Sequence, residues 1–395
     1  DGTGVGIVSI GNGRNPSLPF DGAHIIAAAG IGPSYDLSHS NLDFDAFLSS
    51  IGTGSAGGHD YYGELEAAFG ITGVSNEAAL KNLSEEEQKR VALALFYLVL
   101  RNAGRDSVTT GNYDAGFAAI DTLFGGGGWD GDITTQARDI RTKSGGNINL
   151  IAPGGGLQLA TSVIGQPLAP PGIITEGGGS ISIFTDTDVD IGISRIFTLR
   201  GGDEIIWASN GNIAAGSSSK TVQSAPPTRV IIDPQSGDVT TDLAGLATGG
   251  GIGVLATVSN IPPGSVDLIA PNGTIDAGDA GIRATGNLNI AAVSVLNASN
   301  ISVGGTTAGA PAAPAVSAPN VGGLTSSSNA AAAGTQAMPK QQTPATNAAQ
   351  STNAEETALS LMTVEVIGYG GGEGSGSEEG EDEEEKKKRA KGDVR

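Results

Sequence analysis

Cysteine is absent from the 395-residue chain, His occurs three times, Trp twice, and aromatic residues make up 4% of it. Without cysteine there is no disulfide framework, no thiolate metal site and no cysteine nucleophile. His24, His39 and His59 are too few for a histidine-rich metal centre or proton relay. Basic residues are scarce as well: 21 Lys plus Arg stand against 42 Asp plus Glu, for a net charge of −21. A nucleic-acid partner is therefore not expected, since it requires a basic footprint. The longest strongly apolar run, Val91 to Leu100, has about half the length of a spanning helix, so no transmembrane helix is expected. Asp1-Gly-Thr-Gly-Val shows no signal peptide and reads as the start of a piece of something longer.

What is abundant is glycine, 63 residues, about twice the usual share, without the strict period of collagen. With apolar residues at 38% and Gly, Ala, Ser and Thr dominant, narrow stacked β-structure fits better than a two-layer α/β enzyme.

The texture divides the chain into six regions. Residues 1–52 read as short strands between turns, and residues 53–125 as a helical insertion. Ser84-Glu85-Glu86-Glu87 is a capping box, which predicts a helix over about 85–103 that stops at Gly104. A second, shorter helix is expected from Tyr113 to Phe124, ended by Gly125. Residues 126–304 carry a repeat, 305–356 an Ala/Ser/Pro-rich linker, 357–370 a short strand, and 371–395 an acidic then basic tail expected to be disordered.

The repeat unit opens on Gly and then mixes apolar with polar residues. Its copies are Gly146-Asn-Ile-Asn-Leu-Ile-Ala-Pro, Gly179-Ser-Ile-Ser-Ile-Phe-Thr-Asp, Gly202-Asp-Glu-Ile-Ile-Trp-Ala-Ser, Gly264-Ser-Val-Asp-Leu-Ile-Ala-Pro and Gly286-Asn-Leu-Asn-Ile-Ala-Ala-Val. With Ile148, Ile181, Ile205, Val266 and Leu288 as markers, the spacings are 33, 24, 61 and 22 residues. Two of these approach one turn of a solenoid, and the longer two imply insertions, for instance over Ser217 to Val258. The expected fold is mainly β: a right-handed parallel β-helix with a helical insertion and a disordered C-terminal tail. Each coil would bury its apolar face only against its neighbours.

These motifs carry a resemblance. Ser180-Ile-Ser-Ile-Phe-Thr-Asp186, Ser194-Arg-Ile-Phe-Thr-Leu199, Ile205 to Ile213, Val266 to Pro271, Ile275 to Ile282 and Val364-Glu-Val-Ile-Gly368 are similar to the C-terminal domain of filamentous-haemagglutinin-family exoproteins. The resemblance implies a large secreted β-helical protein of Gram-negative bacteria, on the cell surface or outer membrane, exported by two-partner secretion. It also implies an outer-membrane secretion partner for the full-length chain and a surface receptor or glycan as ligand for an adhesin. It assigns no catalytic residue, cofactor or metal.

Chemistry is weighed against that reading. Asp186, Asp188 and Asp190 alternate, so on a strand they share a face and could do acid/base work on a polysaccharide. The bland reading makes them the solvated face of a strand whose inner face is Ile181, Ile183, Val189 and Ile191, with a turn near Phe184 to Thr187. Asp276 and Asp279 suggest a calcium loop, but the tandem Gly-Gly-x-Gly-x-Asp repeat is missing, so turn chemistry is preferred. Trp129 and Trp207 could be sugar platforms, with core packing favoured for Trp207. The expectation is a non-enzymatic structural and adhesive segment without cofactor or metal. A polysaccharide-acting enzyme and a secretion-control region are the alternatives.

Overall fold

A computed structural model describes residues 6–11, 17, 22–31, 42–52, 58–125, 129–136, 138–160, 170–218, 229–232, 239–242, 247–258 and 260–311. The linker beyond residue 311, the strand expected at 357–370 and the tail at 371–395 lie outside the described residues.

The described chain is mainly β, and its sheets are built of parallel strands. One ladder joins Gly6–Ser9, Asp139–Thr142, Gly172–Thr175, Arg195–Thr198, Gly251–Val254, Ile282–Ala284 and Ile301–Val303, neighbour to neighbour in chain order. A second joins Ile25–Ala28, Ile148–Ala152, Ile181–Thr185, Glu204–Ala208, Val266–Asp276, Leu288–Leu296 and Thr307–Ala308. A third, of two-residue strands, runs Ile133–Thr134, Leu157–Gln158, Val189–Asp190 and Ile213–Ala214, then meets the far end of Val266–Asp276. That long strand unites the second and third ladders.

Register explains the core. In the first ladder Ile7, Ile140, Ile173, Ile196, Ile252, Ile282 and Ile301 lie in one column. In the second, Leu150, Ile183, Ile206, Leu268 and Ile290 do the same, and in the third Leu157, Val189, Ile213 and Ile275. From Ile140 to Ile290 these residues are almost completely buried in a single cluster. With a strand period of two, each strand contributes every second side chain to that cluster.

One marker is corrected by a residue. The partner of Ile181 and Val266 is Glu204, not Ile205. The run Glu204-Ile-Ile-Trp offers two phases of alternation, and hydrophobicity alone selects the apolar one. Ile205 instead shares its column with Asn149, Ser182, Asp267 and Asn289.

The glycine that opens each repeat also forms a column. Gly146, Gly179 and Gly202 have φ of 88°, 103° and 93°. A Cβ on Gly179 would lie 2.3 Å from the Gly146 carbonyl oxygen, and one on Gly202 2.1 Å from that of Gly179. Glycine is required there twice over, for its left-handed backbone and for close approach. The next position forms a polar ladder, in which a side-chain oxygen accepts the amide of the following repeat. Asn147 accepts from Ser180, Ser180 from Asp203, Asp203 from Ser265, and Asn287 from Thr306, at 2.8–3.1 Å.

Among the described residues, five α-helices interrupt this pattern between the strand Ile25–Ala28 and the strand Ile133–Thr134: α1 Phe44–Ser50, α2 Tyr61–Phe69, α3 Glu77–Lys81, α4 Glu85–Thr110 and α5 Asp114–Phe124. The capping box at Ser84 forms, with both reciprocal hydrogen bonds present. Gly104 does not end α4. The helix runs six residues further to Thr110 and closes on Gly111, whose φ is 73°. Gly104 serves packing instead, since a Cβ there would lie 2.4 Å from Ile269 Cγ1. The central run Val91 to Leu100 is buried on all sides, between the sheet and the other helices. α5 ends at Gly125 as expected.

Within the insertion at Ser217 to Val258, Arg229–Ile232 and Val239–Asp242 pair antiparallel, while Gly251–Val254 returns to the first ladder.

Candidate functional site

The outer face of the second ladder is the most elaborated surface. Ala28, Ile151, Phe184, Trp207, Ile269 and Ala291 are in register along it. They pack against the helices in a cluster separate from the coil interior. Phe124 stacks on Phe184 with ring centroids 5.2 Å apart, and Phe117 meets Trp207 edge-on at 5.7 Å. Gly116 gives Trp207 room, because a Cβ there would lie 2.4 Å from Cη2. Trp207 is thus fully buried, beneath helices rather than inside the coil, and is no sugar platform. Trp129 is half-buried, packs edge-on against Phe124 at 5.8 Å and donates to its carbonyl. Phe184 remains in its strand, with bends only at Asp186 and Thr187, so its break in alternation marks a covered outer face.

A charged network lies beside the aromatic strip. Arg105 of α4 makes two hydrogen bonds, of 2.7 and 2.8 Å, to the wholly buried Asp267. Arg101 pairs with Glu64 of α2, and Asn102 donates to the same carboxylate at 2.9 Å. His59 Nε2 lies 2.8 Å from Asp106 Oδ2. Burial, followed by repulsion from Arg105, lowers the Arg101 pKa. Burial raises that of Asp203, against the hydrogen bond from the Ser265 amide. Tyr61 is pushed up to about 12 by burial and by the nearby Glu64. The buried Tyr97 hydroxyl donates to the Leu150 carbonyl at 2.9 Å. The Arg105–Asp267 and Tyr97–Leu150 contacts bind helix to sheet, the Arg101, Asn102 and His59 contacts stay within the helical layer, and none was foreseen from the sequence. Asp267 sits in an otherwise Val-x-Leu-Ile-Ala strand, and that isolated acid was the available signal.

Glu204 occupies the inward-facing column between Ile181 and Val266, fully buried. Neither carboxyl oxygen has a hydrogen-bond partner of normal geometry. Burial holds its pKa well above the ordinary value, opposed by the Thr198 backbone.

Of the sequence candidates, Asp188 is exposed, and Asp186 and Asp190 are half-buried. Asp186 Oδ1 accepts from Asn210 Nδ2 at 2.9 Å, and Asp188 Oδ1 from the Asn212 amide at 2.7 Å. Asp190 accepts from Gly192 N at 2.9 Å. Two further rungs continue the first pair of contacts: Asn272 donates to Asn210, and the Thr274 amide to Asn212. Asp276 accepts from Gly278 N at 2.8 Å and from Asn297 at 2.7 Å. Among the described residues no cluster of three His, Asp or Glu has a metal-binding arrangement. No described helix is long and apolar enough to cross a membrane.

The class defined by these observations is a repetitive, mainly β protein of parallel strands with a helical layer on one face. Residues 201–312 match the family model described as filamentous haemagglutinin family outer membrane protein. That match bears out the resemblance read from the sequence. It spans the glycine-opened repeats from Gly202 onward, and its description points to the outer membrane or cell surface. No curated protein matches the chain, and no solved structure does.

Proposed function

We propose that this chain is a segment of a secreted or surface-displayed exoprotein, with a structural and adhesive role and no catalysis. Its β part is read as a right-handed parallel β-helix, with the strands from Gly6 to Ala28 and from Ile133 to Ala308 as coils. The helical insertion begins at α1, before the expected residue 53, because Asp43 caps a helix there. The strand Thr307–Ala308 carries the ladder past the expected end at 304. The observation that carries the reading is the stacking of equivalent residues. Glycine, isoleucine and polar side chains each form columns from one coil to the next, which makes a stiff shaft with a polar skin. Asp186 and Asp188 belong to that skin. Their carboxylates bond to the following coil, which favours a structural role over polysaccharide cleavage. For the full-length chain the partners are an outer-membrane secretion protein and a receptor or glycan on a host or neighbouring cell.

Antibody labelling of intact and permeabilised cells tests the display. Labelling of intact cells, lost after mild surface proteolysis, is the expected result. Signal only after permeabilisation would favour a secretion-control segment retained in the periplasm. Beads coated with the chain, scored for attachment to host cells, test adhesion separately.

A further inference from the structure

A cavity of about 470 Å³ lies where the strand Ile25–Ala28, α4 and α5 come together. That volume is within the usual range for small-molecule sites, roughly 300–1,000 Å³. Its walls are apolar and include Ile31, Leu42, Phe44, Leu93 and Phe124. The charged residues at its edge are Glu86, Glu87, Lys89 and Arg90, with His24 beside them.

Most of these charges are already committed. Glu87 accepts from the Ser84 amide at 3.1 Å and from its hydroxyl at 2.7 Å, closing the capping box. Lys89 pairs with Glu85 one turn back. His24 Nδ1 accepts the Asn147 amide at 2.9 Å. Arg90 interacts electrostatically with Glu87 but differs from the others in that its Nε is buried without a hydrogen-bond partner. Glu86 is one turn away on the same helix, yet no ion pair joins the two. A half-buried guanidinium at an apolar cavity offers a planar fork for a carboxylate.

We propose that this cavity binds a medium-chain carboxylate, with the acyl body against Phe44, Leu93 and Phe124 and the head group on Arg90. The apolar walls favour the chain through removal of its surface from water. The buried Nε of Arg90 gains the hydrogen bond it lacks. Nothing in this proposal depends on an adhesive role for the protein.

Trp129, packed on Phe124, is a built-in reporter. Its fluorescence is followed while the intact chain is titrated with decanoate, with decanol, and with phosphatidylglycerol vesicles. Saturable one-to-one binding of decanoate is expected, with Arg90→Gln weakening it at least about tenfold and leaving decanol unaffected. Ala28→Phe, which fills the cavity without adding a tryptophan to the fluorescence readout, is expected to abolish both. Melting temperatures of the variants establish that each is folded. Absence of saturation by decanoate, unchanged decanoate affinity in folded Arg90→Gln, or a response to vesicles but not to decanoate would overturn the proposal.

Discussion

Glu204 is the residue on which burial and charge conflict most sharply. Its neighbours in the column are Ile181 and Val266, and its carboxyl has no hydrogen-bond partner of normal geometry. A buried polar group without a partner costs about 1–3 kcal/mol by mutational measures. Because its folded pKa is raised, the group favours the folded state fully below the unfolded value, about 4.5. That contribution is lost as pH rises through the folded value. Asp203, whose pKa is also raised, adds to the same trend. Glu204→Leu is therefore expected to raise the melting temperature at pH 8 more than at pH 4.5. Thermal melts at the two pH values check this, and an equal shift at both would contradict it. The same residue shows what the sequence hides. In Glu204-Ile-Ile-Trp the inward phase carries the acid, so a rule that places apolar residues inside selects the wrong register by one.

Among the elements, α4 does most to hold helices to sheet. Its start was legible because the capping box is a local pattern of Ser84 and Glu87. Its end was not, because Gly104 has the chemistry of a stop but is kept for contact with Ile269. Local propensity gave way to packing. The outer aromatic strip was half legible: Phe184 and Trp207 break the alternation of their strands, which signals cover but does not name it. The ion pair of Arg105 and Asp267 joins residues 162 positions apart, beyond the reach of any local pattern. Asp267→Ala leaves the Arg105 guanidinium without its partner. It is expected to cost roughly 2–3 kcal/mol, toward the low end for a broken buried pair because the arginine is partly exposed. Urea unfolding of wild type, both single variants and the double variant with Arg105→Met measures the coupling. Additive effects would show that the pair contributes nothing beyond its separate side chains.

At the scale of the whole molecule the repeat was the legible part, since a Gly-opened strand of period two recurs in the sequence itself. How successive copies sit on one another decides the proposed shaft, its polar skin and its proposed display. The chain has no cysteine, so introduced pairs report geometry without interference. Asp186 and Asn210 bond across adjacent coils, and Asn272 lies one coil beyond Asn210. Neighbouring parallel strands are about 4.8 Å apart, within disulfide reach, whereas two steps are not. Under mild oxidation, Asp186→Cys with Asn210→Cys is predicted to close an intramolecular disulfide rapidly in the native protein, and Asp186→Cys with Asn272→Cys to remain reduced. Rapid closure of the second pair, or none of the first, would contradict the stacked-coil account.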